Sequence, residues 1–105
     1  MIIMGDSKRQ SVYYVVIFVT KYRNFEEAQS RDPETIADHI ARSKKLHEQG
    51  GLLMGGAFLD KQEPLSTMVV FTSREAAEQY VKEDPFVLKG MVATHNIREW
   101  VNMFA

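Results

Sequence analysis

Val12-Tyr-Tyr-Val-Val-Ile-Phe-Val19 is apolar at odd and even positions alike, and this stretch decides the fold. Successive side chains of a strand point to opposite faces, so a strand with one wet face alternates apolar with polar residues. A continuous β-branched and aromatic run needs an apolar layer on both sides. The stretch therefore reads as a central strand. Its eight residues fall well short of the roughly 20 that a membrane-spanning helix requires. Lys8 and Arg9 precede it, but no small-residue cleavage site follows as a secretory leader would have.

On its N-terminal side, Met1 to Gln10 has no period and is read as a flexible extension, leaving residues 11 to 105 as one domain. On its C-terminal side, Lys21 to Arg31 is polar and charged, and reads as a loop long enough to overhang a site. Asp32-Pro33 then opens a helix, with Asp32 as N-cap and Pro33 at the first helical position, where its missing N–H costs nothing. Gly50-Gly51 closes that helix. Leu52 to Phe58 reads as a second strand holding the Gly55-Gly56 pair, a sign of close approach by a ligand or another backbone. Asp60 to Pro64 makes a turn, and Ser66 to Phe71 a third strand. Thr72-Ser-Arg-Glu75 fits a capping box, opening a helix with Ala76, Ala77, Tyr80 and Val81 inward. Asp84-Pro85 stops it, because the residue before proline is pushed out of the helical region. Met91 to Trp100 is a fourth strand.

The order β-α-β-β-α-β is that of the ferredoxin-like split βαβ fold, an α+β architecture. Two helices cover one face of an antiparallel four-stranded sheet of order 4-1-3-2. The two-sided first strand, with Val69, Phe71 and Ile97, implies that the other face is buried too. A second copy is the expected cover, giving a homodimer packed sheet on sheet as a dimeric α/β barrel.

Composition narrows the function. Thirteen basic against 14 acidic side chains, net −1, leave no electrostatic footprint for nucleic acid or an anionic membrane. A small-molecule ligand is the expected partner. With no cysteine there is neither a disulfide framework nor thiol chemistry, which fits a cytoplasmic protein. The histidines are more informative. At about 100° per residue, the helix from Pro33 to Gln49 puts Ile36, His39, Ile40, Ser43, Leu46 and His47 in one arc, with Asp38, Arg42, Lys45, Glu48 and Gln49 opposite. Two imidazoles and a hydroxyl thus face the core, where unpartnered polar groups cost about 1–3 kcal/mol each. They are either satisfied there or used there. His47, near the helix end, reads as structural. His95 shares strand parity with Ala93 and Ile97, which places it at the dimer seam. The i, i+8 spacing of His39 and His47 is not the i, i+4 pair of a helical metal site, so no metal is expected. Gly55-Gly56 lacks the further glycines of a dinucleotide loop, and no cofactor is expected.

The run His39-Ile-Ala-Arg-Ser-Lys-Lys-Leu-His47-Glu-Gln-Gly50-Gly-Leu-Leu-Met-Gly-Gly56, followed downstream by Glu83-Asp84-Pro85-Phe86-Val-Leu-Lys-Gly90, resembles the YciI-like (YCII-related) family. The likeness spans roughly residues 12 to 100. It implies a dimeric ferredoxin-like protein, similar to muconolactone isomerases, in a family where one branch is a dehydrochlorinase acting on a chlorinated hydroxyhydroquinone. It also implies an active site pairing His39 with Asp84. After Gly56 many members carry proline where this chain has Ala57, a departure that concerns loop conformation.

A carboxylate accepting from one imidazole nitrogen fixes the tautomer and frees the other as a general base. The expectation is a small cofactor-independent enzyme whose catalytic residues are His39 and Asp84, isomerising or eliminating from a cyclic or aromatic substrate. Tyr14, Phe18, Ser43, Gly56 and Phe86 are the candidate pocket residues. Ser43 stands one turn from His39, where a nucleophile would, although helix-interior serines usually bond their own i−4 carbonyl. The alternative is a non-catalytic ligand-binding or scaffolding module on the same barrel. A haem-degrading or quinol-oxidising monooxygenase on that barrel is a third option.

Overall fold

β1 (Ser11–Thr20) runs through the middle of the sheet, antiparallel to β3 (Ser66–Phe71) on one side and to β4 (Val92–Asn102) on the other. This is a computed structural model, and it describes residues 11–60 and 62–104. The extension expected over residues 1–10 lies outside them. β2 (Leu52–Ala57) adds to β3 as an edge strand, so the sheet order is β2-β3-β1-β4, the expected 4-1-3-2 of a ferredoxin-like α+β fold. The helices are α1 (Phe25–Arg31), α2 (Pro33–Glu48), α3 (Arg74–Glu83) and the single turn α4 (Pro85–Leu88).

The two faces of β1 separate by parity. Val16 and Phe18 are buried with Leu52, Val69, Phe71, Ala77, Tyr80 and Val81 beneath the helices. Phe18 stacks on Tyr80 of α3, ring centroids 5.5 Å apart. Tyr13, Val15 and Ile17 point the other way and, with Met68, Val70 and Trp100, line a shallow depression on the helix-free face. Two expectations are corrected here. Val69, Phe71 and Ile97 belong to the helix-covered side, because Ile97 and Val69 both pair with Val16 and Phe71 with Tyr14. His95 pairs with Phe18, and residues directly opposite one another share a face, so it stands on the helix-bearing side and not at an outer seam.

Residues 25–31 form a helix and not the expected loop. Asn24 accepts from the Glu27 backbone N–H at 2.8 Å, Glu26 and Glu27 occupy the first turn, and Arg31 closes the last. Glu27 also pairs with Arg23 and Arg31 at i±4. The apolar side is short but sealed: Ala28 packs with Tyr22, Ile36 and Phe86 in a second small core.

Asp32 sits at the N-cap of α2, yet its carboxylate makes no capping bond. Tyr22 donates its hydroxyl to Asp32, and Lys89 Nζ lies 2.7 Å from the same carboxylate. These bonds hold the Asp32 carboxyl below the ordinary carboxylate range, Lys89 first and Tyr22 next. Burial, then the bond to Asp32, pushes the Tyr22 phenol up. At α3 the cap is Ser73, one residue later than the capping box implied, and its Oγ accepts from the Ala76 N–H.

Candidate active site

Three local decisions place the carboxylate. Pro85 holds Asp84 out of the helix, at φ −63° and ψ 135°, ending α3. Proline then starts α4, leaving Asp84 as N-cap, with Oδ2 accepting the Phe86 N–H at 3.0 Å. Oδ1 is thereby turned toward α2, where His39 Nδ1 lies 2.6 Å away. A carboxylate only accepts, so Nδ1 carries the proton and Nε2 is the free nitrogen. Asp84 is 0% exposed and the His39 side chain 18%, so the carboxylate is sealed and the ring spans from it to the surface.

Aromatic groups hold that ring. Phe86 lies 4.9 Å from it and Tyr80 6.3 Å, both tilted. Arg42, expected on the solvent side, lies over the Tyr80 ring at 5.6 Å and pairs with Glu83 at 3.0 Å, tying α2 to α3 beside the dyad. Arginine manages this because its stem packs along an apolar face while its head reaches a polar partner.

His39 opens into a cavity of about 630 Å³ between α2 and the β2 edge of the sheet, within the range typical of small-molecule sites. Ile36, Ile40, Leu52, Leu65, Val69 and Phe86 give it apolar walls, and Phe25 of α1 forms one rim. Of the residues expected in the pocket, Ser43, Gly56 and Phe86 line it. Tyr14 and Phe18 do not. Both sit on the central strand, two strands from the β2 edge: Phe18 is core, and Tyr14 points its hydroxyl at Glu99, 3.3 Å away. A methyl group at Gly55 would press on Val69 at 3.2 Å, whereas Gly56 opens onto free space. Gly55, opposite Val69, thus answers to packing on the cavity side, whereas Gly56 pairs with Met68 of the helix-free face.

His47 also lines the cavity, two turns from His39, and its Nδ1 meets the Leu52 carbonyl at 2.8 Å. It fastens the end of α2 to the start of β2, not to the helix's own last carbonyls. Thr67 is a polar lining residue that the sequence reading missed. Its strand parity with Val69, which faces the helices, was the available signal. Among the described residues no group of three His, Cys, Asp or Glu is arranged to hold a metal ion, and no helix is long and apolar enough to cross a membrane.

The fold is shared with solved structures of low sequence identity. A 5-chloro-2-hydroxyhydroquinone dehydrochlorinase (TftG) from Burkholderia phenoliruptrix AC1100, solved with 2,5-dihydroxybenzoquinone, superposes with a TM-score of 0.62 at 17% identity, over 84% of this chain and 92% of that one. A putative antibiotic biosynthesis monooxygenase from Nitrosomonas europaea gives 0.56 at 9% identity, over 91% and 94%. No curated protein matches the sequence. The model of the YCII-related domain matches residues 13–101, nearly all of the sheet and every helix, and the chain belongs to that family.

Proposed function

We propose that this chain is a small cofactor-independent enzyme that uses His39, oriented by Asp84, for acid–base chemistry on a small cyclic or aromatic substrate. The observation that carries the reading is the 2.6 Å contact between a fully buried carboxylate and an imidazole that lines an open, apolar-walled cavity. A dyad serving only to specify packing has no reason to leave its second nitrogen beside a cavity of ligand size. Nε2 takes a proton from carbon. The C–H electron pair either moves into the ring to be reprotonated at another carbon, an isomerisation, or expels a leaving group with its own electron pair from the neighbouring carbon, an elimination. Asp84 stabilises the imidazolium formed in between. The largely apolar walls lower the local dielectric and so strengthen that charge interaction. A fold relative solved with a dihydroxybenzoquinone makes hydroxylated rings the first class to try.

The cytoplasm is the compartment we propose, on the absence of cysteine. The assembly we propose is a homodimer through the helix-free sheet face, where Tyr13, Val15, Ile17, Met68 and Trp100 form an apolar surface that a lone protomer would leave in water. Light scattering at micromolar concentration is expected to give twice the 12.1 kDa chain mass; a monodisperse monomer removes the dimer. The chemical reading is tested by a turnover screen over catechols, chlorinated hydroxyquinols and unsaturated lactones, with the wild type beside His39→Gln. Turnover that vanishes in the variant supports it, and turnover that His39→Gln retains overturns it.

A further inference from the structure

Ser43 and Thr67 come from different elements, α2 and β3, and both line the cavity that His39 opens into. The Oγ of Ser43 and the Oγ1 of Thr67 are each enclosed and have no hydrogen-bond partner among the described residues. This is unusual for both. A serine inside a helix ordinarily satisfies itself on the carbonyl four residues back, here that of His39, and Ser43 does not. Leaving a buried hydroxyl unpaired costs stability, so two on one cavity call for an explanation. The phenol of Tyr80 stands beside Ser43 and is itself without a partner among the described residues, and the nearby walls Ile36, Ile40, Leu52 and Val69 offer neither donor nor acceptor. Rotation about χ1 moves the Ser43 hydroxyl between staggered positions, and at Thr67 it swings the methyl group together with the hydroxyl, so a rotamer change is the route by which each would meet a group in the cavity.

We infer that Ser43 and Thr67 are specificity-determining residues that hold oxygen substituents of a ring-shaped ligand, leaving the apolar walls to cover its faces. The ligand class is a small ring with at least two hydroxyl or carbonyl oxygens, held so that the ring reaches His39 one turn from Ser43. Each hydroxyl donates to a carbonyl or phenolate oxygen or accepts from a phenol. A site built to bond such an oxygen discriminates strongly against the analogue that lacks it, because its own polar groups are then left unpaired. The inference deepens the proposed acid–base reading and rests on it only for the role of His39. Ligand recognition by the two hydroxyls stands or falls separately.

The test is binding without turnover. Toluene, phenol and the three dihydroxybenzenes are titrated into the wild type, Ser43→Ala, Thr67→Val and His39→Gln, followed by amide shifts in two-dimensional NMR, which also report that each variant is folded. At least one dihydroxybenzene is expected to bind the wild type more tightly than phenol, and phenol more tightly than toluene. Ser43→Ala and Thr67→Val are each expected to weaken that dihydroxybenzene about fivefold, the scale of one lost hydrogen bond, and to leave toluene unchanged. Thr67→Ser, which keeps the hydroxyl, is expected to restore the affinity that Thr67→Val loses, and it replaces the valine variant if that one does not fold. A wild type that binds toluene as well as every dihydroxybenzene overturns the inference. So does an equal loss of toluene and dihydroxybenzene affinity in the variants, which would mark both residues as packing. Selective binding that survives in a His39→Gln variant, with no substrate ever turned over, keeps this inference and removes the enzymatic one.

Discussion

The middle and the C-terminal end of α2 carry the same side chain on the same arc of the helix, and they do different work. His39 and His47 both line the cavity and both commit Nδ1 to an acceptor. For His47 that acceptor is the Leu52 carbonyl, a neutral group at the start of a strand five residues away. For His39 it is the carboxylate of Asp84, buried without exposure and 45 residues distant in sequence. A carbonyl fixes a ring's orientation. A buried carboxylate does that and also stabilises the cation formed when the ring takes a proton. The identity of the residue says little, and the charge of its hidden partner decides what it can do.

The sharpest way to break this comparison is to neutralise the partner. Asp84→Asn keeps the shape and removes the charge, and is expected to reduce turnover by roughly 10²–10⁴-fold, while His47→Gln leaves it within about threefold. Nitrogen-15 shifts of the imidazoles check the cause directly. In the wild type both rings are expected to carry the proton on Nδ1, and Asp84→Asn is expected to disturb His39 alone. If His39 keeps its signature in that variant, the dyad has no bearing on the ring and the two histidines are equivalent.

Stability is expected to separate the same two sites less widely. Asp84→Ala removes an N-cap to α4 and the partner of His39 at once, inside a closed environment, and is expected to cost about 3 kcal/mol in denaturant unfolding. His47→Gln loses one bond to a carbonyl, about 1 kcal/mol. Equal losses would mean that the buried carboxylate is held no more firmly than a rim contact.

How much of this was legible before the structure depended on how local the signal was. The two-sided run of β1, the Asp32-Pro33 start, the Gly50 stop with its positive φ and the Asp84-Pro85 break are all written in a few adjacent residues, and all appear where they were read. The approach of His39 to Asp84 followed from helix phase together with the family motif. α1 was missed because its composition is that of a loop. Its stability comes from one Asn24 cap, ion pairs at i±4 and a single buried alanine. Asp32 was legible as a cap position but not as the acceptor of Tyr22 and Lys89, since both partners arrive through the fold. The outer seam was misassigned at Ile97 and His95 because parity says which residues share a face, and only the register with β1 says which face that is.

The clamp around Asp32 gives a smaller test at the opposite end of the same helix, and its sign is fixed. The carboxyl is held below its ordinary value, first by Lys89 and then by Tyr22. A depressed acid contributes stability above its unfolded value and loses it as pH falls through the folded one. Thermal unfolding between pH 2 and 7 is therefore expected to show Asp32→Asn less stable than wild type at neutral pH, with the two curves converging below the ordinary carboxylate range. Because Tyr22 and Lys89 tether α1 and α4, the amides of Phe25 to Arg31 are expected to exchange faster in the variant. Parallel curves at every pH would show that the charge of Asp32 does nothing there.

The least effect is expected from Tyr80, and it bears on the dyad's surroundings. Its ring is fully buried against Phe18 and Phe71, and Arg42 lies over it. Its hydroxyl stands beside Ser43 and has no hydrogen-bond partner among the described residues. Burial first, and the charge of Asp84 next, push the phenol above its ordinary range, so it stays protonated throughout the working pH range of proteins. An unpaired buried hydroxyl contributes no bond and retains its desolvation cost. Tyr80→Phe is expected to keep the ring stack and raise stability slightly, by up to about 1 kcal/mol in denaturant unfolding, without changing the His39 nitrogen shifts. A destabilisation of the same size would mean that the hydroxyl has found Ser43. The serine would then be anchored from behind, with its own proton free for the cavity, and the contrast between a charged partner at His39 and a neutral one at His47 would extend to a third, hydroxyl-backed position between them.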